Sequence, residues 1–170
     1  MKKIFTPRVL ASCAALIATN IILTKLLSIT LVYVRISFNF LPIALGSMLY
    51  GPLVGGISAL LADILGVVIV GEPLFWGYSV SAFLYGITYG IFLYKRELTN
   101  KNLIACIALE TLFIDILLGA LWANIFFGKP YPVALLGRAA DAIPMAIVKV
   151  SMIKYIWKLA GARLQNMIKG

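Results

Sequence analysis

Long runs of apolar residues, separated by short polar breaks, dominate the pattern of this chain. A helix that crosses a bilayer needs about 20 mostly apolar residues, and most of the runs are close to that length. We therefore predict an all-α integral membrane protein that forms one domain over residues 1–170, a bundle of six transmembrane helices. The predicted helices cover residues 9–28, 36–50, 53–70, 74–94, 103–127 and 133–159.

One apolar run, VYVRISFNF at 32–40, differs from the others because hydrophobic and polar residues alternate along it. Strict alternation is typical of a strand, although the run also fits the polar end of a membrane helix. If the segment is extended, Arg35 and Asn39 lie on the same side of it. The segment is therefore a candidate for contact with a ligand.

The composition agrees with a membrane protein and argues against a nucleic-acid partner. Hydrophobic residues make up 62% of the chain and charged residues 12%, against about 25% charged residues in typical soluble domains. The net charge of +9 comes from 15 basic and 6 acidic residues. Most of the bases fall between apolar runs, where they set the orientation of membrane helices.

The basic residues are divided unequally between the two ends of the predicted bundle. Arg35 and Lys129 lie at one end. The other end holds both termini, the 95–101 loop and the remaining loop and terminal bases, which are Lys2, Lys3, Arg8, Lys95, Arg96, Lys101, Lys154, Lys158, Arg163 and Lys169. Because basic residues stay on the cytoplasmic side, we expect both termini in the cytoplasm and Arg35 at the outer face.

Four ionisable residues lie near the predicted outer ends of the helices: Lys25, Arg35, Arg138 and Asp141. Brought together in a bundle, they suit an anionic ligand. The alternative is that each side chain extends separately to the outer water. For Arg138 we expect a ligand or a pair with Asp141, which lies one helical turn away.

Aromatic residues also gather at the outer side, either as an interfacial belt or as a pocket for a flat heterocycle. They are Tyr33, Phe38, Phe40, Phe75, Trp76, Tyr78, Trp122, Phe126, Phe127 and Tyr131. The polar Asn39 and Asn124 beside them favour a pocket for some of the rings. The candidate ligand contacts are thus Lys25, Arg35, Phe38, Asn39, Trp76, Tyr78, Trp122, Asn124, Tyr131, Arg138 and Asp141.

Further ionisable groups lie deeper in the predicted bundle: Asp63, Glu110, Asp115 and Lys149. Such groups mark either a proton relay or static ion pairs and hydrogen bonds between helices. The sequence favours the structural role, because it contains no histidine and no visible chain of acids. A stand-alone proton-coupled transporter remains the alternative from a different functional class.

Small residues predict where helices approach closely. Ser58, Ala62 and Gly66 share one face of the third helix, and Ala82, Gly86 and Gly90 share one face of the fourth, so we expect both faces to pack within the chain. On the first helix the small face consists of Ala11, Ala14, Ala15 and Ala18. There, a partner protein competes with packing inside the chain.

The sequence carries no signature of catalysis, of a metal or of a cofactor. It has no histidine, and Cys13 and Cys106 lie in separate apolar segments, so we expect no zinc site. The glycine-rich loop that holds ATP phosphates is also absent. We therefore expect a binding protein that depends on partners for energy, not an enzyme.

Several sequence blocks resemble the substrate-binding S components of energy-coupling factor (ECF) vitamin transporters, in particular the folate family. The blocks are RISF at 35–38, FLPIAL at 40–45, YGPLVGG at 50–56, ADILG at 62–66, SAFLYG at 81–86, Leu121-Trp122, FGKP at 127–130 and Arg138. Their order and spacing agree with the family over nearly the whole chain.

This resemblance implies a vitamin site open to the outside of the bacterial cell membrane. It implies as partners a membrane-embedded coupling subunit, which docks on the alanines of the first helix, and two cytoplasmic ATPases that hydrolyse ATP. The residues at 75–79 and at 119–120 differ from the folate type, and Asp141 is an additional acid. Folate is therefore the first candidate substrate, followed by pantothenate and other water-soluble vitamins.

Overall fold

Helices form most of the computed structural model of the chain, which describes residues 7–25, 29–30, 35–36, 38–96 and 98–161. Within these ranges the chain folds into six helices and one two-stranded hairpin. The helices are α1 (Pro7–Lys25), α2 (Phe40–Tyr50), α3 (Pro52–Val70), α4 (Trp76–Leu93), α5 (Asn100–Phe127) and α6 (Tyr131–Ile156). A π-helical turn, Trp157–Gly161, follows α6. Because the connections are short, α1, α3 and α5 finish at the same end of the bundle, which we call the hairpin end.

Two described residues of the alternating segment, Arg35 and Ile36, form a strand and not part of a helix. Strands β1 (Ile29–Thr30) and β2 (Arg35–Ile36) pair in antiparallel fashion, with Thr30 opposite Arg35. The predicted start of the second helix at residue 36 is therefore wrong, because α2 begins at Phe40. The later start leaves Pro42 in the first turn, where its missing N–H is tolerated, whereas a helix from residue 36 would place this proline in its interior. Residues 26–28 of the predicted first helix lie outside the described residues.

Helices α3 and α4 pack backbone against backbone. A Cβ atom at Gly86 would lie 2.5 Å from the carbonyl oxygen of Gly55, and one at Gly90 would overlap the backbone of Pro52. Only residues without a side chain allow this approach. The predicted packing of the small face of α4 within the chain is confirmed.

The small residues of α3 contact different partners. Ser58 and Ala62 line a narrow crevice against Leu16, Ile17 and Asn20 of α1, which Pro42 and Ile43 of α2 complete. Ala62 is almost fully buried. The face of α3 predicted to pack within the chain does so, and it holds α1 and α2 in place.

Helix α5 is not a uniform α-helix. Its central part, Glu110–Leu118, is π-helical, between α-helical parts at Asn100–Leu109 and Gly119–Phe127. A π-helix closes its hydrogen bonds over one residue more than an α-helix does, and such segments are often found at functional sites. The segment therefore changes which residues of α5 share a face.

The surface of the bundle is apolar where a soluble protein would be polar. Val68 and Ile69 on α3 are 64% and 67% exposed, and Leu136 and Ile147 on α6 are 73% and 68% exposed. By length and composition, α3 and α5 are each able to cross a bilayer. Lys149, a charged residue of α6, is buried inside the bundle and does not lie on this apolar surface. Lipid is the solvent that suits this distribution.

Candidate ligand-binding site

Four aromatic rings meet at the hairpin end, where α4 begins and α5 finishes. We call Phe75, Tyr78, Trp122 and Phe126 the aromatic cluster. Phe75 lies at its centre, with ring centroids 5.4 Å from Tyr78, 5.8 Å from Trp122 and 4.9 Å from Phe126. The contacts with Tyr78 and Trp122 are edge-to-face, a geometry that aromatic pairs prefer. The cluster thus joins two helices through ring contacts.

Gly77 provides the space in which the aromatic cluster closes. A Cβ atom at this buried position would lie 2.7 Å from the Trp122 indole ring and would also overlap the Phe75 ring. Every other residue type would push the two rings away from α4. The glycine at 77 therefore fixes where Trp122 and Phe75 lie.

A third helix, α6, contributes Arg138, whose side chain extends to the aromatic cluster. Its Nη2 atom donates a hydrogen bond of 3.3 Å to the Tyr78 hydroxyl oxygen, and its guanidinium carbon lies 5.9 Å from the Tyr78 ring centroid. Its side chain passes Gly119 of α5, whose Cβ atom, if present, would lie 3.4 Å from the Arg138 Cδ and Nε atoms. A cation thus lies beside a group of aromatic rings, partly buried at the hairpin end.

Hydrogen bonds between side chains fix the helices below the rings. The Trp122 indole N–H donates to the Ser81 hydroxyl oxygen at 2.9 Å, and the Ser79 hydroxyl donates to an Asp63 carboxylate oxygen at 2.7 Å. Ser79 and Ser81 are both buried. Since these bonds link α4 to α5 and to α3, the position of Trp122 does not depend on ring packing alone.

A charged layer lies deeper between the helices that carry the site. Lys149 of α6 forms an ion pair of 2.9 Å with Asp115 of α5, and the Tyr85 hydroxyl of α4 donates to the same carboxylate. Lys149 is 6% exposed. These contacts are the ones that the favoured structural role predicts for Asp115, Lys149 and Asp63, and that role stays a prediction.

The structure gives the other predicted contacts different surroundings. Phe38 packs against the hydrophobic core, and the Asn39 backbone carbonyl accepts a 3.2 Å hydrogen bond from the Asn20 side chain. The Asn124 side chain donates to the Lys129 carbonyl at 2.7 Å, at the end of α5. Trp76 is 66% exposed, and Tyr131 is also exposed. These five residues do not join the rings and the arginine.

For Arg138 the sequence predicted a ligand or a pair with Asp141. Among the described residues the structure shows no pair with Asp141, since Arg138 donates to the Tyr78 hydroxyl, and the ligand role stays a prediction. A spacing of three residues brings two side chains onto neighbouring positions of a helix, but Arg138 instead crosses to α4. The side chains of Lys25 and Arg35 lie outside the described part of the structure. Their predicted role as ligand contacts stays a prediction.

Phe75, Gly77, Ser81 and Phe126 are site residues that the candidate set omitted. Phe75 was one ring among ten at the predicted outer side, and nothing in the sequence distinguished it from the others. Gly77 carried a usable signal, since a glycine between two aromatic residues at the start of a helix suggests a close approach of another ring. Ser81 gave none.

The crevice between α1, α2 and α3 is not a second candidate for a vitamin site. Its cavity volume is about 10 Å³, far below the range of about 300–1,000 Å³ that ligand pockets occupy. Asn20 is its most polar lining residue, and the Asn20 amide already donates to Asn39. The aromatic cluster remains the better candidate.

The four alanines of α1 point away from the rest of the chain. Ala11, Ala14, Ala15 and Ala18 are all exposed. On the opposite side of the same helix, Asn20 is buried and bonds to the residue before α2. The described helices therefore leave a continuous small-residue surface uncovered.

Comparison with known proteins supplies the family. A family model described as "ECF transporter, substrate-specific component" matches residues 8–163. This chain belongs to that family. It is therefore a membrane-embedded transporter subunit, and the resemblance inferred from the sequence blocks is confirmed.

Two folate transporters are similar to this S component over nearly their whole length. The protein "Folate transporter FolT" of Clostridium novyi (strain NT) is 30% identical over 170 residues, which cover 99% of this chain and 96% of the relative. A solved structure described as the crystal structure of FolT bound with folic acid superposes with a TM-score of 0.83 at 28% identity. The superposition covers 89% of this chain and 93% of that chain.

Proposed function

We propose that this S component binds folate with high affinity and delivers it to an ATP-driven importer of the bacterial cell membrane. The observation that carries the proposal is the Arg138 guanidinium placed beside Tyr78 at the edge of the aromatic cluster. Aromatic rings stack on flat heterocycles, and arginine binds carboxylates through charge-assisted hydrogen bonds. Folate combines a flat pterin ring with two carboxylates, so it matches both parts of the site.

The two relatives support folate over pantothenate. Both carry the name FolT, and one of them is described with folic acid bound. Pantothenate has a carboxylate for Arg138 but no aromatic ring for Trp122. A site that binds pantothenate would therefore gain little from the four rings.

A ligand enters this site only if the rings of the aromatic cluster separate. Phe75 and Phe126 lie 4.9 Å apart between centroids, so no heterocycle fits between them as they stand. The segment after α3 carries Phe75, and the hairpin segment lies at the same end of the bundle. We propose that motion of these two connections opens and closes the site.

The exposed alanines of α1 support docking on a coupling subunit. Small side chains allow a second helix to approach closely in lipid, and Ala11, Ala14, Ala15 and Ala18 lie on the exposed side of α1. The partners proposed are a membrane-embedded coupling subunit and two ATPases that hydrolyse ATP in the cytoplasm. The chain itself then needs no catalytic group.

The proposed orientation places both termini in the cytoplasm and the aromatic cluster at the outer face. It rests on the excess of basic residues at the ends of the chain and in the 95–101 loop. The 1–170 chain acts as a single membrane domain in this proposal. Lys25 and Arg35 then lie at the outer mouth, where they add positive charge for an anionic vitamin.

The rival, a stand-alone proton-coupled transporter, receives less support. This rival would use Asp63, Glu110 or Asp115 to carry protons. Asp115 is paired with Lys149, and Asp63 accepts from Ser79, so two of these three acids have structural partners. Uptake by the isolated chain in liposomes separates the two functions. A pH gradient without ATP drives uptake only if the rival is correct.

Titration of the purified protein with folate and with pantothenate tests the proposal. We expect tight binding of folate and much weaker binding of pantothenate, with folate identified by mass spectrometry in the material that co-purifies. Tight binding of pantothenate instead would change the substrate and keep the vitamin-binding function. Failure to bind either compound, or any other water-soluble vitamin, would contradict the function itself.

A further inference from the structure

Glu110 lies in the interior of the bundle, at the start of the π-helical part of α5. Its side chain is 0% exposed. One carboxyl oxygen, Oε1, is 4.0 Å from the Cys106 sulfur, and the other, Oε2, has no hydrogen-bond partner among the described residues. A carboxylate in this position would be shielded from water and almost without hydrogen bonds.

The charges around Glu110 do not balance a negative charge. Lys149 lies near enough to Glu110 to act on it electrostatically, and its Nζ atom lies 2.9 Å from Asp115. One lysine therefore stands against two acids. Because Asp115 also accepts from the Tyr85 hydroxyl, its carboxylate is the better partner, and Glu110 is left with the uncompensated charge.

The residues that face Glu110 supply hydroxyl and thiol groups but no further positive charge. Tyr89 of α4 lies within electrostatic reach of the Glu110 carboxyl, as does Cys106 on α5. The buried Tyr89 hydroxyl faces the Glu110 carboxyl, outside ordinary hydrogen-bond geometry, and the Thr111 hydroxyl and Glu110 Oε2 have no hydrogen-bond partner among the described residues. From α4, α5 and α6 together, the titratable and charged neighbours are Tyr85, Tyr89, Cys106, Asp115 and Lys149.

We propose that Glu110 is a proton-binding site, which holds its side chain as a neutral carboxylic acid inside the membrane. A buried carboxylate without a cation usually takes up a proton and loses its charge. A metal ion fits less well, since the described residues contain no group of three His, Cys, Asp or Glu side chains that would hold one, and the Lys149 ammonium repels a cation. The proposal is independent of the identity of the vitamin.

Infrared spectroscopy of the full chain tests the proposal directly. The chain contains three glutamates, Glu72, Glu97 and Glu110, so the E72Q/E97Q double variant retains a single glutamate. Cell-free synthesis with glutamate labelled with ¹³C at the side-chain carboxyl then marks only Glu110. At neutral pH we expect the labelled carbonyl band of a carboxylic acid and its shift in heavy water, and no labelled carboxylate bands.

Each outcome decides between possible states of Glu110. Labelled carboxylate bands without the acid band would overturn the proposal and indicate a hydrated or paired carboxylate. If carboxylate bands appear and the unfolding temperature is higher in Na⁺ than in choline, the site binds an alkali cation. That result would also overturn the proposal. The E110Q variant gives a second readout, because the neutral amide should leave the unfolding temperature near that of the wild type.

Discussion

The Arg138 guanidinium hydrogen-bonds to the Tyr78 hydroxyl from a neighbouring helix, at 3.3 Å, and lies beside the same ring. If this cation binds a ligand carboxylate, the R138A variant loses a charge-assisted contact worth about 1.5–3 kcal/mol. We expect folate affinity to fall by about 10- to 150-fold in a titration of purified protein. The control is R96A, an exposed arginine beyond the other end of α4. Equal folate affinity for R138A and the wild type would remove Arg138 from the site.

Removing the Ser81 hydroxyl leaves the Trp122 indole N–H without its partner. The S81A variant should lose about 1 kcal/mol of stability, the typical worth of one hydrogen bond at a partly buried site, and should bind folate less tightly because Trp122 is no longer fixed. Thermal unfolding and folate titration measure the two effects. S151A, at an exposed position of α6, should change neither. Unchanged folate binding by S81A would mean that Trp122 is held by ring packing alone.

The ion pair between Asp115 and Lys149 predicts a non-additive pair of substitutions. Removing one partner of a buried pair costs about 3–5 kcal/mol, whereas replacing both is often close to neutral. We therefore expect D115N and K149M each to lower the unfolding temperature strongly. The D115N/K149M double variant should lose much less stability than the sum of the two. Additive losses would show that the two side chains do not interact.

The close approach of α3 and α4 makes Gly86 sensitive to a single methyl group. G86A would place its Cβ 2.5 Å from the Gly55 carbonyl oxygen, and overpacking of this kind costs about 1–3 kcal/mol. Nothing lies within 4 Å of a Cβ at Gly137 in α6. G137A should therefore be neutral or stabilising, since alanine favours a helix by about 1 kcal/mol over glycine. Thermal unfolding of the two variants compares the same chemical change in two surroundings.

If the coupling subunit docks on the exposed alanines of α1, a variant there should keep folate binding and lose transport. A15W should bind folate as the wild type does, because Ala15 lies on α1, away from the aromatic cluster. ATP-driven uptake by the assembled transporter should be lost, since the indole prevents close helix contact. The matched control is A108L, an exposed alanine on α5. Undiminished uptake by A15W would place the coupling surface elsewhere.

The sequence predicted the helices well because hydropathy dominates a membrane bundle. It misplaced the start of the second helix, since Arg35 and Ile36 form a strand and the helix begins at Phe40. The effect of Pro42 on the helix start was visible in the sequence. Because proline is tolerated in the first turn of a helix but not in its interior, the helix that contains Pro42 must begin only a few residues before it.

The candidate site was predicted in part. Tyr78, Trp122 and Arg138 were chosen by residue type and position, and the structure brings them together. Which of the remaining rings join them depends on the rotation of α4 and α5 about their axes. That rotation follows from contacts such as the one between Gly77 and Trp122, and the apolar pattern does not encode it.

The π-helical part of α5 has a consequence for how this helix tolerates change. Asp115, which belongs to the charged layer, lies within the wider turns of this part, and Trp122 of the aromatic cluster lies beyond them. The outer third of the helix is therefore rotated about the helix axis, relative to the inner third, compared with a regular α-helix. Deleting one residue, such as Leu117, would change the rotation of the outer third of the helix relative to the inner third. The rings and the charges could then no longer both meet their partners, so the length of this segment is itself part of the site.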